Sequence, residues 1–229
     1  MNKSRLMAGL GLAVLALGSF TPAHAALIVD NGIPSTANPT GSNLSDTQQA
    51  QDFLLASITS LTNIRFWTLE QSPADYLSSI FWEIRSNAAG VPGTNVVASG
   101  TSSPTRTTAG TVSVPGANFN QFQNDLTVNI TSLAAGSYWL TLHNGALTAN
   151  TFTDYYWSGA DANSTAFSGQ ERGLNPLTAW STNEQELAFQ LYGTASAATP
   201  EPATFACGGI ALILIGLARR TNSKAQRAR

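Results

Sequence analysis

The sequence predicts an all-β fold for the central part of the chain, and three features of residues 26–193 support this prediction. Apolar and polar residues alternate over several short stretches, turn-forming residues separate these stretches, and no stretch keeps the 3.6-residue period of an amphipathic helix. Many short strands connected by turns are typical of a β-sandwich. We therefore expect a single sandwich domain over residues 26–194.

The most regular strand of the first half is predicted over residues 78–85. Ile80, Trp82 and Ile84 alternate there with other residues, which places these three side chains on the core face of a strand. Turn formers follow at residues 87–90 and 92–93. Residues 26–29 are a short apolar start, and residues 30–45 are predicted to form a loop. Further strands are predicted at residues 50–54, 61–69, 95–98 and 111–114.

The second half contains the clearest alternation. Apolar residues at every second position predict strands over residues 126–130, 137–142 and 187–191. Residues 153–172 are rich in aromatic residues, Gly and Asp, and they give only short strand predictions. Residues 195–199 are small and polar, so we expect a linker there.

Charge is distributed unevenly along the chain. Residues 26–199 contain twelve acidic residues, four arginines and no lysine, whereas the other seven basic residues lie in the two terminal segments. An acidic surface without lysine lacks the clustered cations that nucleic acids and anionic lipids require. We therefore expect no nucleic-acid partner. The single cysteine, Cys207, lies outside this region, so no disulfide is expected in it.

The first 25 residues have the composition of a secretory signal peptide. Lys3 and Arg5 precede an apolar stretch at residues 6–20, and Ala23-His24-Ala25 forms an A-x-A cleavage site. We expect the secretion translocon and signal peptidase as partners, with Ala26 as the mature N-terminus. The domain that follows should be exported.

The other end contains three parts in a fixed order. Pro200-Glu201-Pro202 is followed by an uncharged apolar stretch at residues 203–218 and then by Arg219-Arg220. Sixteen helical residues span about 24 Å, against roughly 30 Å of hydrocarbon core, and the basic end can extend into the headgroups. We expect a membrane helix followed by a basic cytoplasmic tail at residues 221–229.

This order of elements resembles the PEP-CTERM sorting signal of exported proteins in Gram-negative bacteria. Pro200, Glu201 and Pro202 match its tripeptide, and Arg219 and Arg220 match its basic stop. The resemblance implies recognition and removal of the tail by an exosortase, and association with the cell surface or with exopolysaccharide. The nine residues after Arg220 depart from many members, which end sooner. An ordinary C-terminal anchor that contains the same tripeptide is the alternative.

Three segments of the central domain also resemble PEP-CTERM ectodomains. They are the stretches at residues 81–94, 133–140 and 187–193. The resemblance implies a jelly-roll-like sandwich without an assigned activity, because the matching positions are structural.

No recognised catalytic or cofactor-binding motif occurs in the sequence, so we expect no enzyme, no cofactor and no metal. His143 is expected to be a polar residue at a strand end. Two acid pairs, Glu184 with Glu186 and Asp154 with Asp161, offer the chemistry of a polysaccharide hydrolase, although solvated surface charge is the favoured interpretation. Asp30-Asn31-Gly32 and the group Asp154, Asp161 and Asn163 lack a recognised calcium-loop spacing.

Aromatic residues provide the candidate ligand contacts. Tyr155, Tyr156 and Trp157 lie together in a Gly/Asp-rich region, and Trp180 has a similar setting. Such rings stack on sugars, and the alternative is that they pack in the core. We predict a structural or adhesive protein of the cell surface or exopolysaccharide matrix. A carbohydrate-binding module is the alternative, and a polysaccharide hydrolase is a third.

Overall fold

A computed structural model describes residues 25–36, 39–114, 116–149, 151–161, 168–174 and 176–196. This part of the chain is all-β, as predicted, and its one helical segment is a 3₁₀ turn at Pro73–Asp75. The strands are β1 (Ala26–Asp30), β2 (Gly41–Asn43), β3 (Thr47–Leu55), β4 (Thr59–Glu70), β5 (Ile80–Ala88), β6 (Val91–Ser102), β7 (Thr105–Val114), β8 (Ala117–Leu133), β9 (Gly136–Asn144), β10 (Tyr155–Ser158), β11 (Gln170–Gly173), β12 (Ser181–Thr182) and β13 (Phe189–Ala195).

The strands form two antiparallel sheets, which confirms a sandwich-like fold. The six-stranded sheet has the order β12-β11-β3-β9-β5-β6. In the seven-stranded sheet, β4 is the central strand: β8 and then β7 lie on one side of it. On its other side, β13 pairs with the first part of β4 and β10 pairs with its end, and β1 and β2 complete the sheet at the edges of β13 and β10.

The core lies between the sheets and receives alternate side chains from each. Ile80, Trp82 and Ile84 are buried in it, as predicted, and so are the apolar residues of 126–130. Aromatic edges meet at its centre, where Trp157 contacts both Phe66 and Phe189 at ring-centroid distances of 6.4 and 6.1 Å. Burial of this many apolar side chains is the main force that holds the sheets together.

Three parts of the fold differ from the prediction. Residues 30–45 are not all loop, because Gly41–Asn43 pair with β10. Strand β7 begins at Thr105, six residues before the predicted start, and pairs with the first part of β8 to form a largely exposed hairpin. These strands carry few apolar residues, so hydrophobic alternation could not reveal them.

The turn between β5 and β6 is shorter than predicted. Ala88 pairs with Val91, which leaves only Ala89 and Gly90 in the loop, both with positive φ. Pro92 and Gly93 already belong to β6. A two-residue loop of this kind matches the twist of its strands, and it fixes the register of the hairpin.

The ends of the described domain lie side by side. Ala26 pairs with Gly193, and Ala195, the first residue of the predicted linker, still pairs with Thr59 in β4. Ala25 and Ala26 are exposed. Ala23 and the rest of the predicted signal peptide, and the sorting tail from Pro200 onward, lie outside the described residues. Within the described ranges, no helix is long and apolar enough to cross a membrane.

Candidate functional site

The structure contradicts the predicted sugar contacts of Tyr155 and Trp157. Both side chains are fully buried in the core, and the Trp157 indole donates its Nε1–H to the carbonyl oxygen of Ala188 at 2.8 Å. The reason is strand geometry: β10 pairs with β4 and β2, and its alternate residues point between the sheets. Stacking on a sugar would require exposed rings, so the prediction for these two residues is wrong.

Tyr156 lies between them and points to the opposite face of the sheet. It is only partly buried, its hydroxyl donates to Asp154 Oδ1 at 2.9 Å, and its ring packs edge-on against Phe119. Burial raises the pKa of the Tyr156 hydroxyl, and the neighbouring carboxylate of Asp154 raises it further. Asp154 therefore serves as an acceptor for this tyrosine in the structure.

The other predicted acids lie around a shallow groove of about 290 Å³. Asp161, Glu184 and Glu186 line this groove together with Gln185. Glu186 accepts a hydrogen bond from Gln51 Nε2 at 3.0 Å. Among the described residues, no three His, Cys, Asp or Glu side chains are placed so that they could hold a metal ion. Asn163, the third residue of the group with Asp154 and Asp161, lies outside the described residues.

His143 is buried rather than exposed at the strand end. Its ring nitrogens lie 3.4 Å from Gly145 O and 3.3 Å from Ser45 O, and the side chain has no exposed surface. Burial lowers the pKa of this imidazole below its ordinary value of 6.5. The residue is therefore neutral near pH 7 and packs inside the domain.

The outer face of the six-stranded sheet carries a hydrogen-bonded polar cluster. Glu83 and Arg85 form an ion pair with an Nε–Oε2 distance of 2.7 Å. Gln48 Nε2 donates to Glu83 Oε2 at 2.9 Å and to Thr141 Oγ1 at 2.7 Å. Arg172 completes the cluster by donating its Nε–H to Gln48 Oε1 at 2.8 Å. We call these five residues the arginine cluster.

Strand register explains why the arginine cluster assembles. Glu83 is paired with Thr141 across β5 and β9, and Gln48 is paired with Arg172 across β3 and β11. The neighbouring residues Trp82 and Leu142 point into the core. The cluster residues therefore point to the opposite face, because side chains alternate along a strand.

Arg172 differs from the other arginines of the domain. Arg65, Arg85 and Arg106 each form an ion pair, with Asp125, Glu83 and Glu70 respectively. Arg172 forms none with a described residue. Burial lowers the pKa of its guanidinium, and repulsion from Arg85 lowers it further, while Glu83 acts in the opposite direction. Its positive charge is therefore poorly compensated.

Trp180 covers one face of this guanidinium. The Arg172 Cζ atom lies 4.6 Å from the centre of the indole ring, and Trp180 remains partly exposed. Of the four aromatic residues predicted to contact a sugar, Trp180 is the one that stacks on Arg172, the partly exposed member of the arginine cluster. Its stacking on Arg172 fixes the orientation of both side chains.

A second groove, of about 480 Å³, lies next to β11, the strand that contains Arg172. The tight turn after β11 forms one wall, and its Gly173 N–H donates to Thr178 Oγ1 at 2.8 Å. Phe152 lies in the groove and is 74% exposed. The lining residues are Asp46, Thr47, Phe152, Gly173, Leu174, Pro176 and Thr178. The groove thus combines an exposed aromatic ring with backbone and hydroxyl groups.

A further buried ion pair lies at the end of β4. Glu70 is 1% exposed and pairs with Arg106, whose guanidinium lies between the rings of Tyr76 and Phe122 at 4.3 and 4.2 Å. Burial raises the pKa of the Glu70 carboxyl, although Arg106 opposes this shift. The aromatic rings enclose the arginine, so this pair has a packing role.

Sequence reasoning missed the arginine cluster and Phe152. The sequence pattern places Glu83 and Arg85 on one face of a strand, but their partners are distant in sequence. Gln48 and Thr141 lie 35 and 58 residues from Glu83, and Arg172 lies 124 residues from Gln48. Only the strand order brings them together. Phe152 stands alone in a loop, where no periodicity marks it.

No family model matches the chain, and no curated protein matches it significantly.

Proposed function

We propose that this protein is exported to the cell surface or extracellular matrix, where it has a structural or adhesive role and binds exopolysaccharide. The predicted signal peptide and the PEP-CTERM-like tail support export, processing by an exosortase and transient anchoring in the inner membrane. The two-sheet fold of the described residues suits the jelly-roll-like ectodomain that the resemblance implies. Binding without catalysis requires a surface that holds a sugar but places no acid against its glycosidic bond.

The observation that carries this proposal is the exposed part of Trp180 stacked on Arg172. Aromatic rings with nearby polar donors are the side chains that suit pyranose rings, because the rings cover the apolar face of the sugar and the donors bind its hydroxyls. The groove with Phe152 lies beside the same strand and gives a polymer a second aromatic contact. Weak individual contacts become effective when many repeats of one polymer are bound.

The same surface favours binding over hydrolysis. Glu83 is the carboxylate of the arginine cluster, and it is 5% exposed and already bonded to Arg85, Gln48 and Thr141. A glycosidase needs two carboxyl groups placed on either side of the scissile bond. Glu83 is buried in its own network, so a polysaccharide hydrolase remains the less favoured alternative.

Affinity electrophoresis in the exopolysaccharide of the producing cell tests the proposal. We expect the protein, kept in mild detergent, to be retarded by the polymer, and Trp180→Ala to weaken retardation by about fivefold, which corresponds to roughly 1 kcal/mol of lost stacking. Ile33→Ala is the control, since Ile33 is 62% exposed and is not part of the arginine cluster or the Phe152 groove. Unchanged mobility of the wild-type protein in the polymer would contradict sugar binding.

A further inference from the structure

The positive charge of the arginine cluster is only partly neutralised by its single carboxylate, Glu83. The cluster contains two arginines and one carboxylate, and Glu83 pairs only with Arg85, through both of its oxygens at 2.7 and 3.1 Å. The guanidinium of Arg172 uses only its Nε–H, and neither of its Nη groups is bonded to a described residue. The residue is partly exposed. The Nη edge of this guanidinium thus keeps hydrogen-bonding capacity that no described residue uses.

The side chain is also fixed in place before any ligand arrives. Gln48 is fully buried, and its amide group is oriented by Glu83 and Thr141, so that its Oε1 faces Arg172. Trp180 restrains the guanidinium from its face. A planar guanidinium held in this way binds a carboxylate through two parallel hydrogen bonds with little further loss of conformational entropy.

The net negative charge of the whole domain limits the kinds of anion that can bind at Arg172. Residues 26–199 carry twelve acids against four arginines, so an acidic protein or a dense polyanion is repelled by the domain as a whole. A single carboxylate that reaches Arg172 meets a local excess of positive charge, because Arg85 lies near and Glu83 is already paired. Phosphate sites generally gather several backbone N–H groups or cations, which Arg172 alone does not provide.

We propose that Arg172 binds the carboxylate of a uronic acid, while the exposed part of Trp180 packs against the sugar ring, in a polymer whose uronates alternate with neutral sugars. This assignment rests on the proposed binding of exopolysaccharide and names its chemical class. Arg172 supplies the fork for the carboxylate, Gln48 orients that fork, and Trp180 supplies the apolar surface. The proposal concerns non-covalent binding only.

The test uses hyaluronan, in which glucuronate alternates with a neutral sugar, and the same polymer after chemical reduction of its carboxylates to alcohols. Affinity electrophoresis of the full-length protein in mild detergent measures retention by each. We expect about tenfold tighter binding to the acidic form, and we expect Arg172→Gln to remove this preference. Arg65→Gln is the matched control, because it also removes an arginine from the domain but changes the ion pair with Asp125 on the other sheet.

The possible outcomes separate the two proposals. Equal retention by both forms of the polymer, unaffected by Arg172→Gln, overturns the uronate assignment and leaves sugar binding intact. No retention by either form or by the cell's own polymer overturns both. Equal binding of polyglutamate and hyaluronan overturns the choice of a glycan.

A measurement on the wild-type protein removes any dependence on folding of the variant. Because Trp180 lies against Arg172, its fluorescence should respond to bound glucuronate. We expect glucuronate to change the tryptophan emission at concentrations at least tenfold below those that glucose requires. Identical titrations with the two sugars would overturn the inference, whatever the behaviour of Arg172→Gln.

Discussion

His143 links the stability of the domain to pH at the level of a single residue. The side chain is fully buried, and burial lowers the pKa of the imidazole below 6.5. Because the unfolded chain then binds a proton more tightly than the folded one, the stabilisation is complete above pH 6.5 and is lost as the pH falls through the folded-state pKa. We expect the melting temperature to fall between pH 7.5 and pH 5.5, and His143→Gln to flatten this part of the profile.

Two carboxyl groups also affect how the stability of the domain changes between pH 7.5 and pH 5.5. Asp46 raises the pKa of His143 and so reduces the effect. Glu70 acts with the opposite sign, because burial raises the pKa of its carboxyl and the folded state therefore favours the protonated form as the pH falls. Thermal melting of Glu70→Gln should show a steeper loss on acidification. An identical slope in the wild-type protein and His143→Gln would contradict the assignment to His143.

The aromatic residues show what sequence can and cannot predict at this scale. Trp82 lies in an alternating strand, and its burial in the core was predicted correctly. Trp157 lies in a stretch too short to show alternation, so its inward orientation depends on pairing of β10 with β4, far away in sequence. Composition alone suggested an exposed loop. Periodicity does not predict the position of Trp180 either, and in the structure its ring lies against Arg172.

At the level of elements, the sequence predicts strands whose two faces differ. The apolar side chains of β5 and β9 alternate, and these strands were predicted with ends shifted by only a few residues. For β8 the alternation predicted only residues 126–130, and the strand begins nine residues earlier, at Ala117. The outer part of the β7–β8 hairpin is largely exposed on both faces, so neither face requires apolar residues and no alternating pattern marks these strands. The six-stranded order, which creates the arginine cluster, follows from pairing between distant segments and had no local signal.

The turn between β5 and β6 contains a correctable strain. Ala89 has φ of +53° and Gly90 has φ of +89°, the conformation that favours Asn-Gly or Gly-Gly. A residue with a Cβ atom pays about 1 kcal/mol or more for this conformation. We expect Ala89→Gly to raise the free energy of unfolding by roughly 0.5–1 kcal/mol in urea denaturation.

Ala88 offers a matched control for this substitution. It is the last residue of β5 and pairs with Val91, so Ala88→Gly adds backbone entropy to the unfolded chain without relieving strain. We expect this variant to be less stable than the wild type. A loss of stability in Ala89→Gly of the same size would mean that the positive φ carries no cost.

Across the whole molecule, the distribution of cations connects fold and proposed function. The domain contains no lysine, and three of its four arginines are paired within it. Its acidic surface therefore repels other polyanions. At 0.1 M ionic strength this repulsion is screened over a Debye length of about 10 Å. Arg172 is the exception among the described arginines. Its position beside Trp180 confines this uncompensated positive charge to one site of the domain, which agrees with the proposed binding of single carboxylates there.

The proposed route to the surface depends on the tail, and Glu201 provides its test. Within the stretch from Pro200 to residue 218, Glu201 is the one charged side chain, and it stands between two prolines in the sequence. A processing enzyme that recognises this tripeptide can distinguish it from an ordinary anchor only through the carboxylate and the two prolines. We expect Glu201→Ala to leave export intact and to block removal of the tail, so that the full-length form accumulates in the inner membrane.

Immunoblots of membrane and surface fractions measure this distribution, with Glu184→Ala as a control that removes a carboxylate from the domain instead. Normal release of the Glu201→Ala protein would show that the tail acts as a simple anchor, whereas parallel retention of both variants would point to a defect in the exported domain.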